Sequence, residues 1–301
     1  MTEENFRVSN AGGMWIRKDP VVSKETEKVL LPKGHLVTKL AESATPDWWQ
    51  VRANVQGMDV DGFSNKNLMV ADEGSEPAPV TVSIAELITK TLTVLGHLAP
   101  NAHPNYLQAI REGGPLFEKH GITTPLRMAH FLAQAMTETG AFTVLRESMS
   151  YRAQRIMEIF GVGNHSAKVT AAEAPSLAHN EHALAERVYG LGNPSKAQEL
   201  GNTQPGDGFR YRGNGVLQMT GRDAHHRRGL ANGLDFEGNP DLATLPEHAL
   251  KPALQEWADG NLNHFADVSD IRTITLRING GLNGFKERKE FFAKLLPLLS
   301  S

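Results

Sequence analysis

The chain has 301 residues, with 31 Lys plus Arg against 34 Asp plus Glu, a formal net charge of -3, and no cysteine. The missing thiols exclude disulfides, thiolate metal sites and cysteine nucleophiles, and the balanced charge, with no block of one sign, speaks for solubility and against a nucleic-acid footprint. No stretch approaches the roughly 20 apolar residues of a membrane span, and the length exceeds the usual domain of about 100–200 residues, so two folded parts are expected.

Residues 5–70 read as short β runs: MWIRK, KVLLP, HLVTKL, WWQVRA and DGFSNKNLMV, separated by Gly12-Gly13, Pro20, Pro32-Lys33-Gly34 and Pro46-Asp47. Such runs, broken by turn residues, are the pattern of a small barrel. The order Met14-Trp15-Ile16-Arg17, Leu31-Pro32-Lys33-Gly34, Trp48-Trp49-Gln50-Val51, Asp61-Gly62-Phe63 resembles a bacterial SH3 domain of the kind attached to cell-wall enzymes. The resemblance implies that residues 1–70 are an all-β, SH3-like, wall-binding domain. Trp15, Trp48 and Trp49 are then either ligand-contacting aromatics or ordinary aromatics of the β module. Residues 71–82, beginning ADEGSEPAP, are acidic and proline-bearing with nothing to pack, and read as a linker.

Beyond Ser83 the periodicity becomes helical. Ile84, Leu87, Ile88, Leu92 and Leu95 recur at helical spacing, and further helices are predicted near 104–112, 125–139, 151–160, 180–189, 250–265, 270–278 and 283–297. Residues 83–301 therefore form a mainly helical domain with one long Gly-rich stretch at 201–221.

The segment from Thr124 to Gly140 carries the first chemical signal. Thr124 is a good N-cap, Pro125 suits the first helical position, and Gly140 marks a stop. Between them His130, Gln134 and Glu138 fall four residues apart on one stripe of an otherwise apolar helix. A carboxyl at the negative end of a buried helix is expected to hold its proton more tightly, as a general acid must. Nine residues on, Glu147 lies beyond the helix in LRESMSY; a polar setting there is expected to leave its pKa lower and to suit a base that activates water. Two carboxyls in opposed settings are the minimum apparatus of glycosidic cleavage, although a Glu at a helix end and another in the next loop are usually an N-cap partner, a salt bridge or a solvated side chain.

Three ordered motifs narrow this. AHFLAQAMTETGAF with RESMSYRA, GDGFRYRGNGVLQMTGR at 206–222, and LRINGGLNGFKER at 276–288 are similar to those of glycoside hydrolase family 19, the chitinase-like group of the lysozyme-like superfamily, in the form seen in phage endolysins. The resemblance implies a mainly α, lysozyme-like catalytic domain over 83–301. It makes Glu138 the proton donor and Glu147 the base, places Thr220 where a hydroxyl holds the attacking water, and matches Gln218 and Asn279 to residues that hydrogen-bond the sugar or its N-acetyl group. Arg288 matches a basic residue that orients the acid, and Tyr211 either lines the groove or packs beneath it. Read without the resemblance, Gln218 and Asn279 are equally turn-bridging amides and Arg288 an ordinary helix cation. Thr137 and Asn214 depart from the pattern, standing where His and Arg are common.

His130 and Glu138 share a stripe, but no HExxH or third ligand is spelled out, so His130 reads as a hydrogen-bonded structural histidine and neither metal nor cofactor is expected. Gly213-x-Gly215 is followed by Gln218 without Gly-Lys-Ser/Thr, which argues against a nucleotide loop. The family implies an inverting single displacement on β-1,4-linked N-acetylated sugars, with carboxyl groups roughly 6.5–9.5 Å apart. Peptidoglycan is the expected substrate, on the strength of the SH3-like module, the missing cysteines and the phage-like motifs. Chitin, a lytic transglycosylase reaction resting on one Glu, and a wall-binding protein with an inactive hydrolase domain are the rival readings. The opening MTEENFRVSN has no basic n-region or apolar h-region, so synthesis in a bacterial cytoplasm and holin-type release or a dedicated secretion route are expected.

Overall fold

A computed structural model describes residues 4–10, 13–55, 58–72 and 83–301. The chain divides into two compact units, Met1–Thr81 and Val82–Ser301. Of the expected linker, residues 73–82 lie outside the described residues.

The first unit is all β. Its strands are β1 (Glu4–Val8), β2 (Met14–Arg17), β3 (Glu27–Leu31), β4 (Leu36–Glu42), β5 (Trp48–Val55), β6 (Met58–Asn65) and β7 (Met69–Ala71), in one antiparallel sheet of order β3-β2-β6-β5-β4-β1-β7. Alternate residues supply the core, among them Val8, Met14, Ile16, Leu31, Val37, Val51 and Ala53. Gly62 lies where β6 crosses β2: a Cβ there would stand 2.5 Å from the Arg17 carbonyl oxygen and 2.5 Å from Ile16 Cγ2, so the strands meet only if this residue has no side chain. Trp49 is structural, packed on Phe6 at 4.5 Å and donating its indole N–H to Glu42 at 2.9 Å. Trp15 and Trp48 line a surface hollow of about 460 Å³.

The second unit is helical: α1 (Ile84–Leu98), α2 (Pro104–Glu112), α3 (Gly114–Lys119), α4 (Pro125–Glu138), α5 (Ala153–Phe160), α6 (Ala174–Leu177), α7 (Glu181–Tyr189), α8 (Pro194–Leu200), α9 (Asp207–Arg210), α10 (Arg222–Asn232), α11 (Leu250–Asp259), α12 (Leu262–Asp267), α13 (Ile271–Asn279) and α14 (Phe285–Ser300). Helix α4 is the axis of the core. Every residue from Met128 to Met136 is buried, and Phe131 meets Phe117 and Trp257 edge-on at 5.7 and 5.5 Å. The helix expected over 250–265 is two, because Asn261 adopts a left-handed conformation (φ 48°) at the start of α12. Helix α10, RDAHHRRGLAN, shows no apolar stripe in sequence and buries only His225 and Gly229; its ends are set by Gly221 and Gly233 instead. Among the described residues no helix is long and apolar enough to cross a membrane.

Candidate active site

Helix α4 starts as its sequence dictates, with Thr124 Oγ1 accepting from Arg127 N–H at 3.2 Å and Pro125 in the first turn. It ends at Glu138, and α14 packs along it. From α14 Arg288, 2% exposed, donates Nη1 to Gln134 Oε1 at 2.5 Å and Nη2 to Glu138 Oε1. Two members of the α4 stripe are thus gripped by one guanidinium. Glu138 sits in an ion pair rather than in the purely apolar surrounding its helix suggests. Gly284 permits the approach: it has φ +68°, and a Cβ on it would lie 2.8 Å from Thr137 Cγ2. The third member, His130, is fully buried and stacks on Phe292 at 4.0 Å. Burial pushes its imidazole down to about 4. Among the described residues neither ring nitrogen has a hydrogen-bond partner, so His130 is held by stacking and not by the hydrogen bond expected of it.

Past Glu138 the chain turns sharply. Gly140, Ala141 and Phe142 all have positive φ, at 56°, 58° and 62°, where the sequence marks only Gly140. The two non-glycine residues cost about 1 kcal/mol each in that region. Compensating contacts hold them: Ala141 N–H donates to Met136 O at 2.7 Å, Phe142 N–H to Thr139 Oγ1 at 2.9 Å, and the Phe142 ring is buried 5.4 Å from that of Tyr106.

The turn delivers residues 145–147 to the Gly-rich stretch, where they pair as a short antiparallel bridge. Glu147 N–H donates to Gly213 O at 2.7 Å and Gly215 N–H to Leu145 O at 2.9 Å, with Arg146 opposite Asn214. The carboxyl is held in turn: Oε1 accepts from the Tyr189 hydroxyl at 3.0 Å and Oε2 from Gly213 N–H at 3.3 Å. Burial pushes the Glu147 carboxyl above its ordinary value, against these two hydrogen bonds and the charge of Arg212. That corrects the expectation of a solvated, lower-pKa carboxylate, because the loop is folded against the Gly-rich stretch and α7 and is not free in water. Tyr189 is itself pushed well above its usual value by burial and the neighbouring Glu147, so the phenol remains a donor. The Gly-rich stretch is closed across its ends by Arg222, whose Nη2 donates to the buried Asp207 at 2.8 Å.

Glu138, Glu147, Gln218, Thr220 and Asn279 line one cleft of about 520 Å³. The three polar residues are each anchored locally: Gln218 Nε2 donates to Gly215 O at 2.8 Å, Thr220 Oγ1 to Gln218 O at 2.9 Å, and Asn279 Nδ2 to Asn283 O at 3.2 Å. Both amides therefore bridge turns and line the cleft at once, the two roles the sequence left as alternatives. Tyr211 is not part of the lining. It is 2% exposed and donates its hydroxyl to Glu237 O at 3.1 Å, which places it in the packing beneath. Arg288 likewise stays outside the cleft and reaches it through Glu138. Asn214, also 1% exposed, bonds His225 and the Pro240 carbonyl, so the departure from Arg there is absorbed by packing.

No protein-family model matches the chain. Over 204 residues it is 31% identical to a glycosyl hydrolase family 19 domain-containing protein of Haemophilus influenzae, spanning 65% of this chain and 90% of that protein. The chain belongs to glycoside hydrolase family 19. Among solved structures, chitinase C from Streptomyces griseus HUT6037 aligns with 76% of this chain and 96% of its own at 17% identity and a TM-score of 0.47. A family 19, class IV chitinase from Zea mays aligns with 73% and 92% at 18% identity and a TM-score of 0.39. As a family 19 glycoside hydrolase the protein acts on glycan, and the cleft is the candidate place for it.

Several cleft residues of this family 19 enzyme have no signal in its sequence motifs. Tyr189 ends α7, and Lys196, Arg227, Arg228 and Glu256 come from α8, α10 and α11. Lys196 pairs with Glu199 at 2.6 Å and Arg228 with Asp259, whereas Arg227 makes no ion pair or side-chain hydrogen bond among the described residues. Glu256 stands beside the buried Trp257 in ALQEWAD, and only the folded arrangement reveals that its carboxyl faces the cleft.

Proposed function

We propose that the protein is a peptidoglycan-degrading glycosidase that cleaves β-1,4 bonds between N-acetylated amino sugars by inversion. The observation that carries this reading is that Glu138 and Glu147 line one cleft in different grips, one at a helix end on a guanidinium, the other on a backbone bridge with a phenol. Glu138 gives its proton to the leaving glycosidic oxygen. Glu147 takes a proton from water, whose oxygen attacks the anomeric carbon from the opposite face. Thr220, in the lining of the same cleft, is assigned the hydroxyl that holds that water, and the carbonyl oxygens of Gln218 and Asn279 suit the N–H of an acetamido group.

Arg227, which makes no ion pair among the described residues, favours peptidoglycan over chitin. A neutral chitin chain offers it no counter-charge, whereas the peptide stems of peptidoglycan carry carboxylates that a guanidinium binds. The β unit is assigned the SH3-like role of holding the enzyme on the wall, for which the hollow lined by Trp15 and Trp48 is the candidate contact. Release from the cytoplasm by a holin or a dedicated route completes the proposal.

Digestion of purified peptidoglycan and chitin side by side, with mass analysis of the products, tests it. Muropeptides with reducing ends are expected from peptidoglycan at a rate well above chitin cleavage, and Glu138→Gln and Glu147→Gln are each expected to lose about 10²- to 10⁴-fold in kcat with the fold intact. Faster chitin cleavage, an anhydro product, or wild-type turnover in both variants would overturn the reading.

A further inference from the structure

The bridge that seats Glu147 is incomplete as a backbone ladder. Glu147 N–H and Leu145 O find main-chain partners in Gly213 and Gly215, but among the described residues no main-chain N–H donates to the Glu147 carbonyl. Arg212 supplies the donor instead, its Nε lying 3.1 Å from Glu147 O. The guanidinium is fixed from two further sides: Nη1 donates to Phe209 O at 2.7 Å, and Cζ lies 3.8 Å from the centre of the Phe209 ring. Phe209 is anchored on α7 in turn. Its N–H donates to Glu186 Oε1 at 3.1 Å and its ring stacks on His182 at 3.9 Å. Gly208 lets the two segments close, since a Cβ there would stand 2.6 Å from Ala185 O. Helix α7 therefore holds the base residue twice, at the carboxyl through Tyr189 and at the carbonyl through Phe209 and Arg212.

We propose that Arg212 is a positioning residue for the base: its guanidinium, clamped on Phe209, completes the bridge at the Glu147 carbonyl and sets a fixed positive charge beside the residue whose carboxyl must take a proton from water. This rests on the assignment of Glu147 as the base. Arg212 is buried, so its charge is screened less than that of a surface cation. The charged groups that face it are Glu147, Glu181 at the start of α7 and Arg146 from the opposite side of the bridge. Those that face Glu147 are Arg212, Tyr189 and Tyr151, with Glu138, Glu256, Lys196, Arg227 and Arg228 elsewhere in the lining. The charge of Arg212 opposes the rise that burial imposes on the Glu147 carboxyl, so the base is ionised over a wider range of pH than burial alone would leave it. A lysine supplies the charge but not the flat fork that meets two carbonyl oxygens and a ring at once.

The test is the pH dependence of kcat and KM for the wild type, Arg212→Gln, Arg212→Lys, Phe209→Leu and Glu147→Gln, on whichever of peptidoglycan and chitin is cleaved faster. Arg212→Gln is expected to move the acid limb of kcat/KM up by about half a pH unit, a roughly threefold loss near pH 5 relative to pH 8, with KM near pH 8 within about twofold of wild type. Arg212→Lys is expected to keep the wild-type limb while kcat falls about threefold at every pH. Phe209→Leu, which retains the charge and loosens its bed, is expected to behave as Arg212→Lys does. An Arg212→Gln limb that stays in place, or a rise in KM at unchanged kcat, would overturn the role of Arg212. Should a denaturant melt show that Arg212→Gln does not fold, the other two decide. A kcat loss at constant KM in both supports the role, and wild-type kcat in both overturns it. An inactive Glu147→Gln leaves the base assignment standing whatever the Arg212 variants show, whereas an active Glu147→Gln removes both.

Discussion

Glu138 and Glu147 are neighbours in the cleft but are built by different means. Glu138 is placed by side chains: its position depends on Arg288, 150 residues away in sequence, which also grips Gln134. Glu147 is placed chiefly by backbone, through the bridge to Gly213 and Gly215, with the Tyr189 phenol donating to its carboxyl and Arg212 Nε to its carbonyl oxygen. A carboxyl held by a charged side chain can be misaimed by one distant substitution. One held by backbone keeps its place, and what a substitution changes is its electrostatics.

Removing Arg288 should break the first grip with the larger effect. Arg288→Ala leaves Glu138 and Gln134 without their buried partner, and a loss of about 3 kcal/mol in unfolding free energy is expected, together with about a hundredfold loss in kcat from the misplaced acid. Denaturant melts and initial rates on the same preparations check both. Arg288→Lys, which keeps the charge but not the fork, should recover part of the stability and less of the rate.

The second grip should respond in its pH profile. Burial raises the Glu147 carboxyl, so the base ionises, and activity appears, at a higher pH than for an ordinary glutamate. The Tyr189 hydroxyl favours the ionised form, so Tyr189→Phe should move the acid limb of kcat/KM up by about one pH unit. Rates near pH 5 fall several-fold and those near pH 8 change little. A downward move would mean that the hydrogen bond serves the protonated form.

Much of the Glu138 side of this comparison can be read in the sequence, because its signals are local. The Thr124-Pro125 start, the four-residue stripe and the apolar run around Phe131 lie in one helix, and their periodicity declares itself. The burial of Glu147 is not readable in that way. Tyr189 and Gly213 are 42 and 66 residues from it, and LRESMSY alone resembles a solvated loop. Helix α10 escapes for a related reason: without an apolar stripe its helicity rests on its ends and its packing, so the cations it brings to the cleft have no motif. Strand β1 pairs with β4 and β7 but has only Val8 fully buried, too little alternation to mark a strand. Glu256 looks like any acid in an amphipathic helix until the fold brings it into the cleft lining.

The division of labour between the two carboxyls is tested most directly by the stereochemistry of the first product. Proton NMR of the reducing end released from a β-1,4-linked peptidoglycan fragment, recorded before mutarotation, should show the α-anomer, as a single displacement requires. A β-anomer would mean a covalent or substrate-assisted intermediate and would contradict the assignment of Glu138 as acid and Glu147 as the base that activates water.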